Sequence, residues 1–207
     1  MALVDRVKQI LLSPRTEWPV IDAEPATVAS LYTGYIMPLA AIPVICNAIG
    51  MSLIGVTIPL VGGHYKTPFG TALISAAVTY CFTLIGVYLM ALIVDALAPS
   101  FGGTKNQVQA LKVVAYAYTA SWVGGFLGLI PALSVIGILF GLYSLYLLFL
   151  GLPVLMKAPE DKAVGYTVVV IICSILVMVL IAFVVGTLGF GMGAGAMGAA
   201  GAGAYRP

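Results

Sequence analysis

Four long stretches of this chain contain no charged side chain, and they constrain its fold more than any motif does. No Asp, Glu, Lys or Arg occurs at positions 25–65, 67–94, 113–156 or 163–205. A helix that crosses roughly 30 Å of hydrocarbon needs about 20 apolar residues, and every gap is longer than that. The runs are continuously apolar, not alternating, so they fit spanning helices and not the strands of a barrel. Composition agrees: the chain is 62% hydrophobic and 8% charged, where soluble domains are roughly 25% charged. Nine Lys and Arg and seven Asp and Glu cannot clothe a soluble surface of this size. A formal net charge of +2, with no dense basic patch, excludes a nucleic-acid binder. High hydrophobicity excludes a disordered chain. The fold class is an all-α polytopic integral membrane protein.

The gaps predict five spans. The first covers about Leu31 to Leu60 and bears Pro38, Pro43 and Pro59; the second covers about Phe69 to Ala98. The third gap is too long for one crossing. Pro131 and Ser134 divide it into a helix ending near Ile130 and another from about Leu133 to Met156. The fifth span covers about Val164 to Leu188. Three regions follow: a cytoplasmic N-terminal segment at 1–30, the five-helix domain at 31–188 and a Gly/Ala-rich external tail at 189–207. Within the first, Leu3, Val4, Val7, Ile10 and Leu11 fall at helical spacing between Asp5, Arg6, Lys8 and Gln9, and Ser13-Pro14 stops the run. This amphipathic helix either lies in the inner-leaflet interface with Trp18 as an aromatic anchor, or docks on the protein's own loops. The tail from Gly189 to Ala204 has too little bulk for a sixth span and is expected to trail as a flexible end.

Catalytic signatures are scarce. The single His64 is expected to be an ordinary loop residue. Cys46, Cys81 and Cys173 fall in three different spans, as small buried apolar residues and not as metal ligands or a disulfide. Gly193-x-Gly195-x-x-Gly198 copies the dinucleotide pattern, but no strand precedes it. No metal or cofactor is implied. Asp95 is the one carboxylate beside the apolar runs. Near the cytoplasmic end of the second span, with Lys105 or Lys112 in reach, it either serves structure or marks a pathway. Gly124-x-x-x-Gly128 and Gly137-x-x-x-Gly141 give the third and fourth spans small-residue faces, where helices approach closely within one chain or between two. Tyr143 and Tyr146 share a face of the fourth span deep enough to need hydrogen-bond partners. Tyr116, Tyr118 and Trp122 read as an interfacial belt or as part of the same interior.

Several segments resemble the Yip family of five-span membrane proteins, in its bacterial branch. They are Pro14-Arg15-Thr16-Glu17-Trp18-Pro19, Val94-Asp95-Ala96-Leu97-Ala98-Pro99-Ser100-Phe101-Gly102-Gly103 and Gln109-Ala110-Leu111-Lys112-Val113-Val114-Ala115-Tyr116. The run from Pro131 through Gly141-Leu142-Tyr143-Ser144-Leu145-Tyr146 to Gly151-Leu152, and Met156-Lys157-Ala158-Pro159-Glu160-Asp161-Lys162-Ala163 with Tyr166, complete the likeness. The resemblance implies five spans, a cytoplasmic N-terminus, an external C-terminus and a bacterial inner-membrane location. Eukaryotic members are linked to Rab-type GTPases and membrane shape. With only about 30 residues before the first span, a GTPase partner is not expected here. The functional expectation is a non-enzymatic protein that organises lipid or binds membrane partners by self-association. The alternative is a small-solute or ion transporter or channel using Asp95 and the Tyr143/Tyr146 face.

Orientation follows from the basic residues. With an odd number of spans, Arg6, Lys8, Arg15, Lys105, Lys112, Lys157 and Lys162 share one side, and Lys66 and Arg206 take the other. Positive residues favour the cytoplasm, so the N-terminus lies inside and the C-terminus outside. A reporter fused after Arg206 is expected to read as extracytoplasmic; a cytoplasmic signal would contradict this topology.

Overall fold

The computed structural model describes residues 2–58 and 63–203. Two short helices come first, α1 (Leu3–Leu12) and α2 (Pro14–Ala23). Pro14 separates them and takes the first position of α2, where a missing amide costs nothing. The first long helix begins at α3 (Val28–Leu31). Its start is a capping box in which Thr27 Oγ1 accepts from the Ser30 amide at 3.1 Å and Ser30 Oγ accepts from the Thr27 amide at 2.9 Å. A wide π turn at Tyr32–Ile36 carries α3 into α4 (Met37–Leu53). The turn lies just ahead of Pro38, which has no amide for the ladder and would crowd the preceding turn of a regular helix. Gly55 ends the helix. At φ 77° its amide donates back to the Gly50 carbonyl at 2.9 Å, a left-handed closure that favours glycine. The first span therefore stops near Leu53 and not at the expected Leu60. A small antiparallel hairpin follows, β1 (Val56–Ile58) on β2 (Gly63–Tyr65). Pro59 and Leu60 lie outside the described residues.

The second long helix, α5 (Phe69–Leu97), matches its expected span and tightens into a 3₁₀ turn at Ala98–Phe101 before Gly102. Asn106 opens α6 (Gln107–Ala117), its Oδ1 accepting from the Val108 and Gln109 amides at 3.1 Å each. The expected third span is not one helix. It breaks at Tyr118, continues as α7 (Thr119–Gly124) and finishes in a 3₁₀ turn, Gly125–Leu129. Two side chains account for the break. Ser144 reaches in from a neighbouring helix and accepts the Ser121 amide at 3.0 Å, taking it from the helical ladder. Thr119 Oγ1 bonds back to the Ala115 carbonyl at 3.3 Å, a contact that bends helices.

The long apolar stretch divides at Ile130 and Pro131, and a second 3₁₀ turn, Pro131–Ile136, leads into α8 (Gly137–Met156). Lys157 closes α8 at φ 55°. The last helix, α9 (Glu160–Gly203), does not stop at Leu188 but runs on through the Gly/Ala tail, where composition predicts a flexible end. Extending an existing helix costs far less than nucleating one, and alanine is the best helix former. Among the described residues, four helices are long and apolar enough to cross a membrane: Val28–Leu53, Phe69–Phe101, Pro131–Met156 and Asp161–Val184.

The broken segment is the centre of the packing. Every residue of α6 from Ala110 to Ala117 is buried, and α5, α8, α3 and α4 surround α6 and α7. Irregular backbone survives at membrane depth only where protein covers it. Side chains such as Leu73 and Ile85 on α5, Leu139 and Leu142 on α8, and Ile172, Leu176 and Phe183 on α9 stay exposed, as a lipid-facing belt should. Cys81 belongs to that exposed surface and not to the interior expected for it, because its side of α5 has no helical neighbour. At one end of the bundle the Thr104 amide donates to the Met156 carbonyl at 2.8 Å and Lys157 pairs with Asp22. The N-terminal segment and the second and fourth connections thus share a side.

The two glycine motifs have different fates. A Cβ on Gly124 would overlap the Phe140 ring, and one on Gly125 would overlap Pro43. Gly128 lies in ordinary contact, 3.4 Å, with the Asn47 backbone, and its carbonyl fills the space beside Gly50. By contrast, a Cβ on Gly137 or Gly141 would meet nothing within 4 Å. Gly124→Ala and Gly125→Ala are expected to destabilise the fold by about 1–3 kcal/mol through overpacking. Gly141→Ala should be neutral or slightly stabilising, since alanine favours helix. Thermal unfolding in detergent separates the cases; equal melting temperatures for all three variants would contradict the packing described.

Candidate functional site

The charged residues of the N-terminal segment do not simply face water. Arg6 on α1 is 5% exposed and Glu17 on α2 is 3% exposed, and the two form a buried ion pair. The second arm of the Arg6 guanidinium holds Glu24, just past the end of α2. Helical spacing explains the placement: Arg6 shares the inward face of α1 with Ile10, and both are buried. Arg6 also stands over the ring of Tyr116, 6.0 Å from its centroid.

Lys112 enters the same cluster from the core. It is 3% exposed, and its Nζ donates to the Ile21 carbonyl at 2.8 Å and the Glu24 carbonyl at 2.5 Å. These are unpaired acceptors at the C-terminal end of α2, where the helix dipole also favours a cation. One turn away on α6, Gln109 Nε2 donates to the Asp22 carbonyl and to Asp22 Oδ1, at 3.1 and 3.0 Å. Around these polar contacts, Trp18 is fully buried and lies against Gly151 on α8, where an added Cβ would come within 2.7 Å of the indole. The expected interfacial anchor is therefore a core side chain, because the missing side chain at Gly151 leaves a notch that fits its ring. The Tyr143 hydroxyl ties α8 to α1 by donating to the Leu11 carbonyl at 2.6 Å. The N-terminal helix α1 packs against α2 and α7.

The remaining sequence candidates separate. Tyr116 is an interior residue, its ring 4.4 Å from that of Tyr35 and edge-on to Trp18 at 6.4 Å. Tyr35 in turn shares a 2.7 Å hydrogen bond with Thr119. Tyr118 and Trp122 pack edge to face at 6.0 Å, with Trp122 buried. Tyr146 lies beside Tyr143 at 5.7 Å but is exposed. Asp95 takes no partner from Lys112, which the α2 carbonyls occupy, nor from Lys105, which is exposed. Its Oδ1 is buried without a hydrogen bond, and the neighbouring Tyr166 hydroxyl donates instead to the Val94 carbonyl. Asp95 thus belongs to the α5–α9 contact, whereas Tyr143 faces α1. His64 Nδ1 lies 3.2 Å from the hydroxyl of its hairpin neighbour Thr57.

Two of the cavities have walls that do not include Asp95. One, of about 450 Å³, lies between α4 and α5 and is lined by Pro43, Asn47, Ser75 and Thr79 among others. The other, of about 190 Å³, lies over the charged cluster, with Arg6, Glu24, Lys112 and Tyr116 in its wall. Sequence reasoning selects Lys112 and Tyr116 but misses Arg6, Glu17, Glu24, Asp22, Gln109 and Tyr35. The available signal was Arg6 standing one turn before Ile10 at the edge of the apolar face of α1, where burial calls for a partner.

A family model described as the Yip1 domain matches residues 8–202. Two relatives, each described as "Inner membrane protein YohC", come from Escherichia coli strain K12 and from Escherichia coli O6:H1 strain CFT073. The chain is 28% identical to each over 182 residues, which cover 86% of this chain and 93% of the relative. No solved structure matches.

Removing Arg6 strands the buried Glu17 carboxylate. Arg6→Ala is expected to cost about 3–5 kcal/mol, while the paired change Arg6→Met with Glu17→Leu recovers much of that loss. Thermal unfolding and protease cleavage within residues 1–24 measure both. A double variant no more stable than Arg6→Ala would refute this account of the pair.

Proposed function

Because the chain belongs to the Yip1 domain family, we propose that it is a non-enzymatic membrane protein that organises lipid and binds membrane partners by self-association. The observation that supports this most directly is the contrast between its two glycine faces. The Gly124/Gly128 face is used inside the chain, against α8 and α4, whereas the Gly137/Gly141 face of α8 is open. In lipid, small residues on an open face let a second helix approach to backbone contact, and that close packing replaces the hydrophobic drive available in water. The exposed Ile138, Leu142 and Tyr146 beside it suit lipid and a second helix equally.

The same reading takes 107–129 as a fifth crossing. The segment starts beside Asp22 and ends with the Gly128 carbonyl against Gly50, near the far end of α4. Its residues span about 30 Å at helical rise. Five crossings put the seven basic residues at the cytoplasmic end and the C-terminus outside, and an inner-membrane location accords with the description of the relatives.

The test is Gly137→Leu with Gly141→Leu. Cross-linking in native membranes is expected to show a several-fold smaller dimer fraction, with the melting temperature unchanged. An unchanged cross-linking pattern would remove the self-association part of the proposal.

A further inference from the structure

The cavity over the charged cluster has a charge pattern that a membrane lipid matches. Its wall contains two buried cations, Arg6 and Lys112, and one carboxylate, Glu24, whose side chain is 41% exposed. Glu17 lies behind Arg6 as a second carboxylate. With Asp22 and its partner Lys157 counted as well, three cations are balanced by three carboxylates. A purely anionic headgroup would add an uncompensated charge to this site, whereas a zwitterion adds none. Among the described residues the Tyr116 hydroxyl, also in the wall, has no hydrogen-bond partner in the chain, and Lys112 has spent two of its three N–H donors.

The cavity also has a route to hydrocarbon. It sits at the start of the first long helix, between Leu3 on α1 and Leu31 on α3. Ser30 and Gly34, one turn apart, are exposed and line the same cavity. Gly34 has no side chain, and a Cβ there would meet nothing within 4 Å, so the helix surface below the cavity is an open lane.

We propose that this cavity binds the headgroup of a zwitterionic phospholipid with a primary ammonium, the phosphate facing Lys112 and Tyr116, the ammonium facing Glu24, and one acyl chain following the Gly34 lane. A primary ammonium donates N–H bonds to a carboxylate, and a quaternary ammonium has none to donate. The proposal rests on the reading of the chain as a lipid-organising protein and names the lipid class.

The full chain, exchanged into nanodiscs of equimolar phosphatidylethanolamine, phosphatidylcholine and phosphatidylglycerol and released for native mass spectrometry, provides the test. Wild-type protein is expected to retain phosphatidylethanolamine in preference to the other two. Glu24→Gln should reduce that preference about tenfold, the effect of one charge-assisted hydrogen bond. Gly34→Leu leaves the charged cluster intact and should lower retention of all three lipids without lowering the melting temperature. Displacement of bound lipid by soluble phosphoethanolamine, undiminished in Gly34→Leu, distinguishes the headgroup contacts from the chain lane. Equal retention of the three lipids, or phosphatidylglycerol retained first, would overturn the proposal. The readout needs no second copy of the chain, so its failure is separate from a failure of self-association, which the α8 glycine variants report.

Discussion

The ammonium of Lys112, held by the carbonyls of Ile21 and Glu24, sets the arrangement around it. A buried lysine is costly unless its ammonium finds acceptors. The frayed C-terminal end of α2 supplies acceptors where a helix most needs a cation. Once α2 is fixed there, Glu17 and Glu24 stand where Arg6 reaches both, and α1 is drawn down with it. Trp18 then seats in the notch at Gly151, and Tyr143 closes on Leu11. The first 24 residues are thus part of the membrane domain's own core and not a tether beside it.

That docking also explains the unusual middle of the chain. The segment from Gln107 to Gly124 packs against α3, α4, α5 and α8, so it need not present a smooth apolar cylinder to lipid. It tolerates a polar insertion from Ser144 and a kink beside Thr119, because side-chain hydroxyls take up the backbone groups involved. The outer helices carry the opposite burden. α9 is peripheral and apolar on nearly every side, and its Tyr166 is one of its few polar contacts with α5.

Much of the architecture was legible in the residue order. The charge-free stretches located α5, α8 and most of α9, and Pro131 marked the point where the longest apolar stretch divides. The helical spacing of Leu3 to Leu11 announced α1. The candidate site was only half legible. Lys112 and Tyr116 are visible as polar residues beside an apolar run. Chain order brings Lys112 towards Asp95, its neighbour along the topology, yet its partners are backbone carbonyls 88 and 91 residues away. Backbone acceptors leave no trace in side-chain chemistry, so no motif could have pointed to them. Likewise, nothing local distinguishes the glycines at 124 and 128 from those at 137 and 141; the difference is what lies opposite each.

The sequence by itself determined the solvent. With so few charges and such long apolar runs, the chain can be stable only across a bilayer, and transfer free energy depends on composition alone. It also determined the approximate length of most helices, since proline, glycine and charge act within a turn or two of where they stand. Only the tertiary structure decided that buried residues of α1 and α2 join the core, that the helical run from Gln107 to Leu129 is broken, and that Arg6 and Lys112 share a cavity with Glu24. Those outcomes depend on which groups meet across the bundle, and in a medium where every unpaired polar group is expensive, long-range pairing overrides local pattern.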